Sequence, residues 1–157
     1  SYKHGISLRC VGIQQVPEAC WPMTAKVRSR LHYFLAEQEA SAAEKGSRPV
    51  LSHADGRISE TSTANIAALH GRTIITPPER DALAGISINR DELLTADEVF
   101  LTSTPWCVLP AVRIDGNPIG KGLPGPIFHK LLNAWSENVD LDLVKQAHGA
   151  KRVQNGR

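Results

Sequence analysis

An α+β fold is the class this sequence predicts, on three observations. Short apolar runs are punctuated by turn residues, Val50-Leu51, then Asp55-Gly56, then Arg72 to Thr76 closing at Pro77-Pro78, which is the pattern of an antiparallel meander. Helical periodicity is confined to two places, Thr24 to about Gly46 and Ile127 to about Trp135. Between them lie two further apolar runs with strand character, Val99 to Thr104 and Leu109 to Ile114. Strands grouped together with helices set apart from them read as α+β.

Composition bounds the reading. A chain of 157 residues is within the single-domain range, long enough to bury roughly two-thirds of its unfolded surface around one core. Its apolar fraction of 41% and charged fraction of 22% are those of a soluble globular protein. No apolar run approaches the ~20 residues of a membrane span. The net charge of +2 gives no reason to expect a nucleic-acid partner. Cys10, Cys20 and Cys107 form no C-x-x-C pair and leave an odd thiol, which fits a reducing compartment. With no signal-peptide pattern at its start, the chain is expected to be cytoplasmic. No His or Cys pair has ligand spacing, so no metal is expected.

In chain order, Ile6-Ser7-Leu8 and Val11-Gly12-Ile13 predict one or two short strands before Trp21-Pro22. From Thr24, a candidate N-cap, Val27, Leu31, Phe34 and Leu35 recur at three and four, and Ala36, Ala40, Ala42 and Ala43 keep helix propensity high until Gly46. This spacing puts Lys26 in the first helical turn, beside the positive end of the helix dipole. That place disfavours a permanent cation and suits a lysine that is neutral or bonded as an imine. A solvated surface lysine is the other reading of the same position.

The run Ser59-Glu60-Thr61-Ser62-Thr63-Ala64-Asn65-Ile66 follows the Asp55-Gly56 turn and is expected to form a loop at a strand end. Hydroxyls and backbone N–H groups there suit an anion such as a phosphate, while the carboxylate can accept a hydrogen bond from a ring nitrogen. An ordinary Ser/Thr-rich turn has the same composition. Leu83-Ala84-Gly85-Ile86-Ser87 brings a Gly and a Ser to where a helix could start. Asn89 to Leu94 has room for two turns at most. Val99 to Ser103 runs into the hydroxyl cluster ending at Thr104, and Leu109 to Ile114 leads through Asp115-Gly116-Asn117-Pro118 and a Gly/Pro-rich link to a last helix with Leu131, Leu132 and Trp135 on one face. From Lys145 on the chain is polar.

Three separated pieces of this sequence together resemble one family. They are Lys26 with Ala36-Glu37-Gln38-Glu39-Ala40; Asp55 to Ile66 with Thr76-Pro77-Pro78 and Leu83 to Ser87; and Ala96 to Thr104 with Pro110 and Gly120 to Pro126. Their order and separation, over roughly residues 24 to 135, resemble the fold-type IV pyridoxal-phosphate enzymes: branched-chain aminotransferases, D-amino-acid aminotransferases and aminodeoxychorismate lyases. The resemblance implies the larger C-terminal domain of the D-amino-acid aminotransferase-like fold, a barrel-like antiparallel sheet with flanking helices. Residues 1–140 would be that cofactor-binding domain and residues 141–157 a flexible polar tail.

The resemblance also implies pyridoxal 5'-phosphate as cofactor. Lys26 would hold it as a Schiff base and then act as the general acid–base. Glu60 would face the pyridine nitrogen. Ser62 and Thr63 would line the ring or phosphate, and Ile86, Ser87 and Thr104 would bind the phosphate. Arg30 and Tyr33 would border the ring, and Tyr33, Trp106 and Cys107 would shape the substrate pocket. The implied reaction is amino transfer from a branched-chain or similar amino acid to 2-oxoglutarate, in a homodimer. A lyase acting on aminodeoxychorismate and a non-catalytic remnant of the fold remain as alternatives. Two departures bear on this. Relatives carry an N-terminal domain with a phosphate-clamping arginine, and a helix and strand between the Gly-Ile-Ser loop and the segment matching Asn89 to Leu94. The expectation is a C-terminal half, internally shortened, that binds the cofactor weakly when alone.

Overall fold

The computed structural model describes residues 2–17, 19–21, 27–77 and 88–147. In chain order the elements are β1 (Ile6–Cys10), α1 (Leu31–Ala43), β2 (Arg48–Ser52), β3 (Ile58–Thr61), β4 (Asn65–His70), β5 (Thr73–Ile75), α2 (Arg90–Thr95), β6 (Glu98–Ser103), β7 (Cys107–Ile114), β8 (Asn117–Pro118) and α3 (Pro126–Asn138). The strands form one sheet in the order β3-β2-β1-β7-β6-β4-β5, with β8 on β7.

The α+β expectation holds, with one change to the sheet, which is mixed. β1 runs parallel to both β2 and β7, while the other pairs are antiparallel. The reason is the connection: α1 lies between β1 and β2, and a crossover of that length returns the chain parallel to where it left. The Asp55-Gly56 hairpin forms as expected, with Gly56 at φ +85° and the Asp55 carboxylate accepting the Arg57 N–H at 3.0 Å.

Sheet order and chain order together require curvature. β3 is one edge and β4 is next to the other edge, yet only residues 62–64 join them. The sheet curls into a half-barrel that brings these strands close. Thr61 pins the join: its N–H reaches the Ala64 carbonyl at 2.9 Å, and its Oγ1 donates to that carbonyl and accepts from the Ala64 N–H.

Val99, Phe100 and Leu101 are consecutive and all buried, so β6 is covered on both faces. Helix α3 packs Phe128 and Leu132 into this core. It starts with proline at its first turn, and the buried Glu98 carboxylate of β6 accepts the Ile127 and Phe128 N–H groups, both at 2.9 Å, at the positive end of the helix. Gly125 is fixed by this contact, since a Cβ there would fall on the Glu98 carboxyl group. The short α2 carries a capping box from Asn89 and Glu92.

Four expectations change. Helix α1 begins at Leu31 with Arg30 as N-cap, and residues 27–30 are not helical. The first turn of α1 therefore starts at Leu31, and Thr24 and Lys26 lie outside the described residues. Val27 sits four before Leu31, which is why periodicity alone carried the helix back past its observed start. The buried face of α1 is Ala36 and Ala40, against Val11 and Leu51, while Val27, Leu31, Phe34 and Leu35 are exposed. Asn65–His70, expected to begin as loop, is strand β4, and Ser59, Glu60 and Thr61 lie in β3 itself. The expected polar tail is structured at its start: residues 143–147 make a helical turn with Leu143 buried in the core, because Leu143, Val144 and Ala147 are apolar at spacings of one and four. Residues 148–157 lie outside the described residues.

Candidate functional site

An open cleft of about 290 Å³ lies where the β3–β4 turn meets the end of the β6–β7 hairpin. Arg30 and Tyr33 come to it from the start of α1, Glu60 from β3, and Ser62, Thr63, Ala64 and Asn65 from the turn and the start of β4. Thr102 and Ser103 come from the end of β6, and Thr104 and Pro105 from the turn beyond it. Asn65 pairs with Thr102 across the two strands, so the two hydroxyl-rich segments face the same space because the sheet registers them there.

The Glu60 carboxylate is half-buried in this wall, and one of its oxygens is firmly held. Oε1 accepts a 2.5 Å bond from the Tyr33 hydroxyl and a 2.9 Å bond from Gln15 Nε2. Gln15 Nε2 also lies 3.2 Å from the Tyr33 oxygen and 3.3 Å from Ser59 Oγ. The Arg30 guanidinium donates to the Ser62 carbonyl and covers the Tyr33 ring at 4.4 Å from its centroid. The His32 ring lies 3.9 Å from the Tyr33 ring. Burial pushes the Tyr33 phenol up, and the bond to Glu60 adds to this, so Tyr33 is protonated and a donor at neutral pH. Burial and then the Arg30 charge push His32 down, so its imidazole is neutral there.

Ser62 is buried, with its hydroxyl donating to the Glu37 carboxylate, while Thr63 is exposed at the cleft. Ser103 Oγ is buried and has no hydrogen-bond partner among the described residues. Of the residues singled out from sequence, Arg30, Tyr33, Glu60, Ser62, Thr63 and Thr104 are brought together. Lys26, Ile86 and Ser87 lie outside the described residues. Trp106 and Cys107, expected to shape a pocket, do not line this cleft. The turn at residues 104–106 sends both back onto the core, where the Trp106 carbonyl accepts the Tyr2 hydroxyl at 2.6 Å and Cys107 begins β7 opposite Ser103. Sequence reasoning missed Gln15, for which nothing local gives a signal. It did not name Asn65, Thr102 and Ser103 individually, although Asn65 belongs to the polar run Ser59 to Ile66 and the other two to the hydroxyl run that ends at Thr104.

A carboxylate and two hydroxyl-rich segments of the half-barrel thus line one cleft. The amino-transferase class IV family matches residues 2–90, more than half of the chain, and the chain belongs to that family. A D-alanine aminotransferase of Bacillus licheniformis is 33% identical over 128 residues, which are 69% of this chain and 44% of that protein. A branched-chain-amino-acid aminotransferase of Pseudomonas aeruginosa is 31% identical over 128 residues, 69% of this chain and 41% of that one. Among solved structures, a T.th. branched-chain amino acid aminotransferase with pyridoxamine 5'-phosphate superposes with a TM-score of 0.78 at 29% identity, covering 87% of this chain and 51% of the other. The chain thus spans less than half the length of these two curated relatives and about half of the solved one. No helix among the described residues is long and apolar enough to cross a membrane.

Proposed function

We propose that this chain carries the cofactor-binding part of a pyridoxal 5'-phosphate-dependent aminotransferase that moves an amino group from a branched-chain or similar amino acid to 2-oxoglutarate. The observation that carries the reading is Glu60. Its Oε1 is bonded by Tyr33 and Gln15, and its Oε2 has no hydrogen-bond partner among the described residues, in a cleft also lined by hydroxyls. The donor set fits a phosphorylated pyridine. The ring nitrogen needs a carboxylate acceptor, the phosphate needs hydroxyls and N–H groups, and Ser103 Oγ is a buried hydroxyl still without a partner. The pyridoxamine 5'-phosphate of the solved T.th. relative supports the same reading.

When bound, the cofactor supplies an electron sink for the charge left on the substrate carbon after proton loss. Glu60 accepts the ring N–H and keeps that nitrogen protonated. Thr104, with the N–H groups of Ile86 and Ser87, would hold the phosphate, and Ser62 and Thr63 would line the ring or phosphate. Lys26 would hold the cofactor through its Nζ and would serve as the proton carrier for the chemistry the cofactor supplies. The assignments of Lys26, Ile86 and Ser87 rest on their matching positions in the family motifs. A homodimer in the cytoplasm completes the proposal.

The test is to add pyridoxal phosphate to the protein, reduce with borohydride and map the labelled peptide. A visible absorbance band and a pyridoxyl group on Lys26 are the expected results. An adduct on another lysine would overturn the assignment, and failure to convert leucine and 2-oxoglutarate into glutamate would overturn the reaction.

A further inference from the structure

We infer that Gln15 and Tyr33 are positioning residues for Glu60, fixing Oε1 so that Oε2 is the oxygen offered to a ligand in the cleft; this rests on the reading of the cleft as a pyridine-ring site. A glutamate side chain has three rotatable bonds, and a bond to one ring atom needs one carboxylate oxygen at one place. Here the two oxygens are treated differently. The protein puts both of its donors on Oε1, from Tyr33 at 2.5 Å and Gln15 at 2.9 Å.

The donors are themselves held. The Gln15 backbone N–H bonds to the Ser52 carbonyl of β2 at 2.9 Å. Its amide orientation is set because Gln15 Oε1 accepts the Val16 N–H at 3.1 Å, which turns Nε2 toward Glu60. Tyr33 stands on α1, its ring in contact with the His32 ring and the Arg30 guanidinium. Burial and the bond to Glu60 keep its hydroxyl protonated, hence a donor, well above neutral pH. Gln15 Nε2 and the Tyr33 oxygen are 3.2 Å apart, so the three groups close a triangle. Its corners come from three parts of the chain: the segment after β1, helix α1 and strand β3. Among the described residues, the charged and titratable groups facing Tyr33 and Glu60 are Arg30 and His32. Tyr33 thus acts on the ligand through Glu60, which differs from the substrate-pocket role expected from sequence.

Two readouts test this. In the ligand-free protein, phenol ionisation followed by ultraviolet absorbance is simple to assign, because Tyr2 and Tyr33 are the only tyrosines, and Tyr33→Phe identifies the Tyr33 step. Glu60→Gln should move that step to lower pH, since the carboxylate that holds the phenol proton is gone. An unmoved step would show that the triangle does not form and would overturn the proposal whatever the ligand. In the second readout, pyridoxal phosphate is titrated into wild type, Tyr33→Phe, Gln15→Leu and Glu60→Gln, with thermal melting as the folding control. Each of the first two variants should weaken binding about tenfold, the scale of one hydrogen bond to a charged group. In the Glu60→Gln background either should add less than about twofold, because a positioning residue has nothing left to position. Full additivity, or wild-type affinity in both single variants, would overturn the proposal. Wild type that binds no pyridoxal phosphate would instead overturn the cofactor reading, and the role toward a pyridine ring with it.

Discussion

Helices α1 and α3 have the same length, thirteen residues, and meet the sheet through opposite kinds of side chain. α3 buries Phe128 and Leu132, and its first N–H groups are fastened to the Glu98 carboxylate. α1 buries Ala36 and Ala40, has no side-chain cap, and leaves Leu31, Phe34 and Leu35 at 64%, 58% and 43% exposure. Large buried side chains hold a helix at a distance and supply stability through area removed from water. Small ones let the helix backbone come close. That closeness is what α1 needs, because Tyr33 in its first turn must reach Glu60 and Arg30 at its N-cap must reach the Ser62 carbonyl. α3 is built as a structural helix and α1 as the support of the cleft.

The largest effect expected from this contrast is on α3. Phe128 is fully buried, so Phe128→Ala should cost about 3–5 kcal/mol of stability, the loss of its transfer energy plus a cavity. Denaturant unfolding with an unchanged slope would measure it. A loss under about 1 kcal/mol would mean that the core closes over the gap, and the contrast with α1 would weaken. On α1 the damaging change is the reverse one. Ala40→Leu puts extra volume where the helix lies against Leu51 and Val11, and should cost about 1–3 kcal/mol by overpacking. If the alanines set the height of α1, this variant should also lower the pH at which the Tyr33 phenol ionises, because the lifted helix withdraws it from Glu60. Lost stability with an unmoved phenol would separate packing from cleft geometry.

The contrast also explains what could be read in advance. The Asp55-Gly56 hairpin, β6, β7 and the existence of α3 were legible because local chemistry decides them: an Asp-Gly turn, consecutive apolar residues, and a proline-started helix; of the face expected for α3 only Leu132 is buried, with Phe128, while Trp135 is exposed. The face of α1 was not legible, since hydrophobic periodicity finds large residues and the buried ones are alanines. β4, Asn-Ile-Ala-Ala-Leu-His, was hidden for a related reason: two alanines and polar ends give it little strand character, and its place is fixed by pairing with β5 and β6. The parallel position of β1 depends on β7, about a hundred residues away in sequence. In the site, Glu60 and the hydroxyl runs were visible as clusters of residue types. Gln15 was not, because its part comes from contacts 18 and 45 residues distant.

The smallest expected effect is the sharpest test of the exposed face. Phe34 stands at 58% exposure, and phenylalanine and serine rank close in helix propensity, so Phe34→Ser changes burial with little change in the helix itself. If the side chain is as open in solution as in the structure, stability should stay within about 0.5 kcal/mol of wild type, as for other surface substitutions. Leu31, Phe34 and Leu35 nonetheless form a run of apolar surface along one side of the helix, the kind of surface that a partner can cover. Denaturant unfolding at two widely separated protein concentrations distinguishes these cases. A cost above about 1.5 kcal/mol that appears only at the higher concentration would mean that association buries Phe34, since binding stabilises the folded state by mass action. Helix α1 would then have two buried faces, one of alanine toward the sheet and one of large residues toward a partner, and its difference from α3 would lie in which side the large residues face.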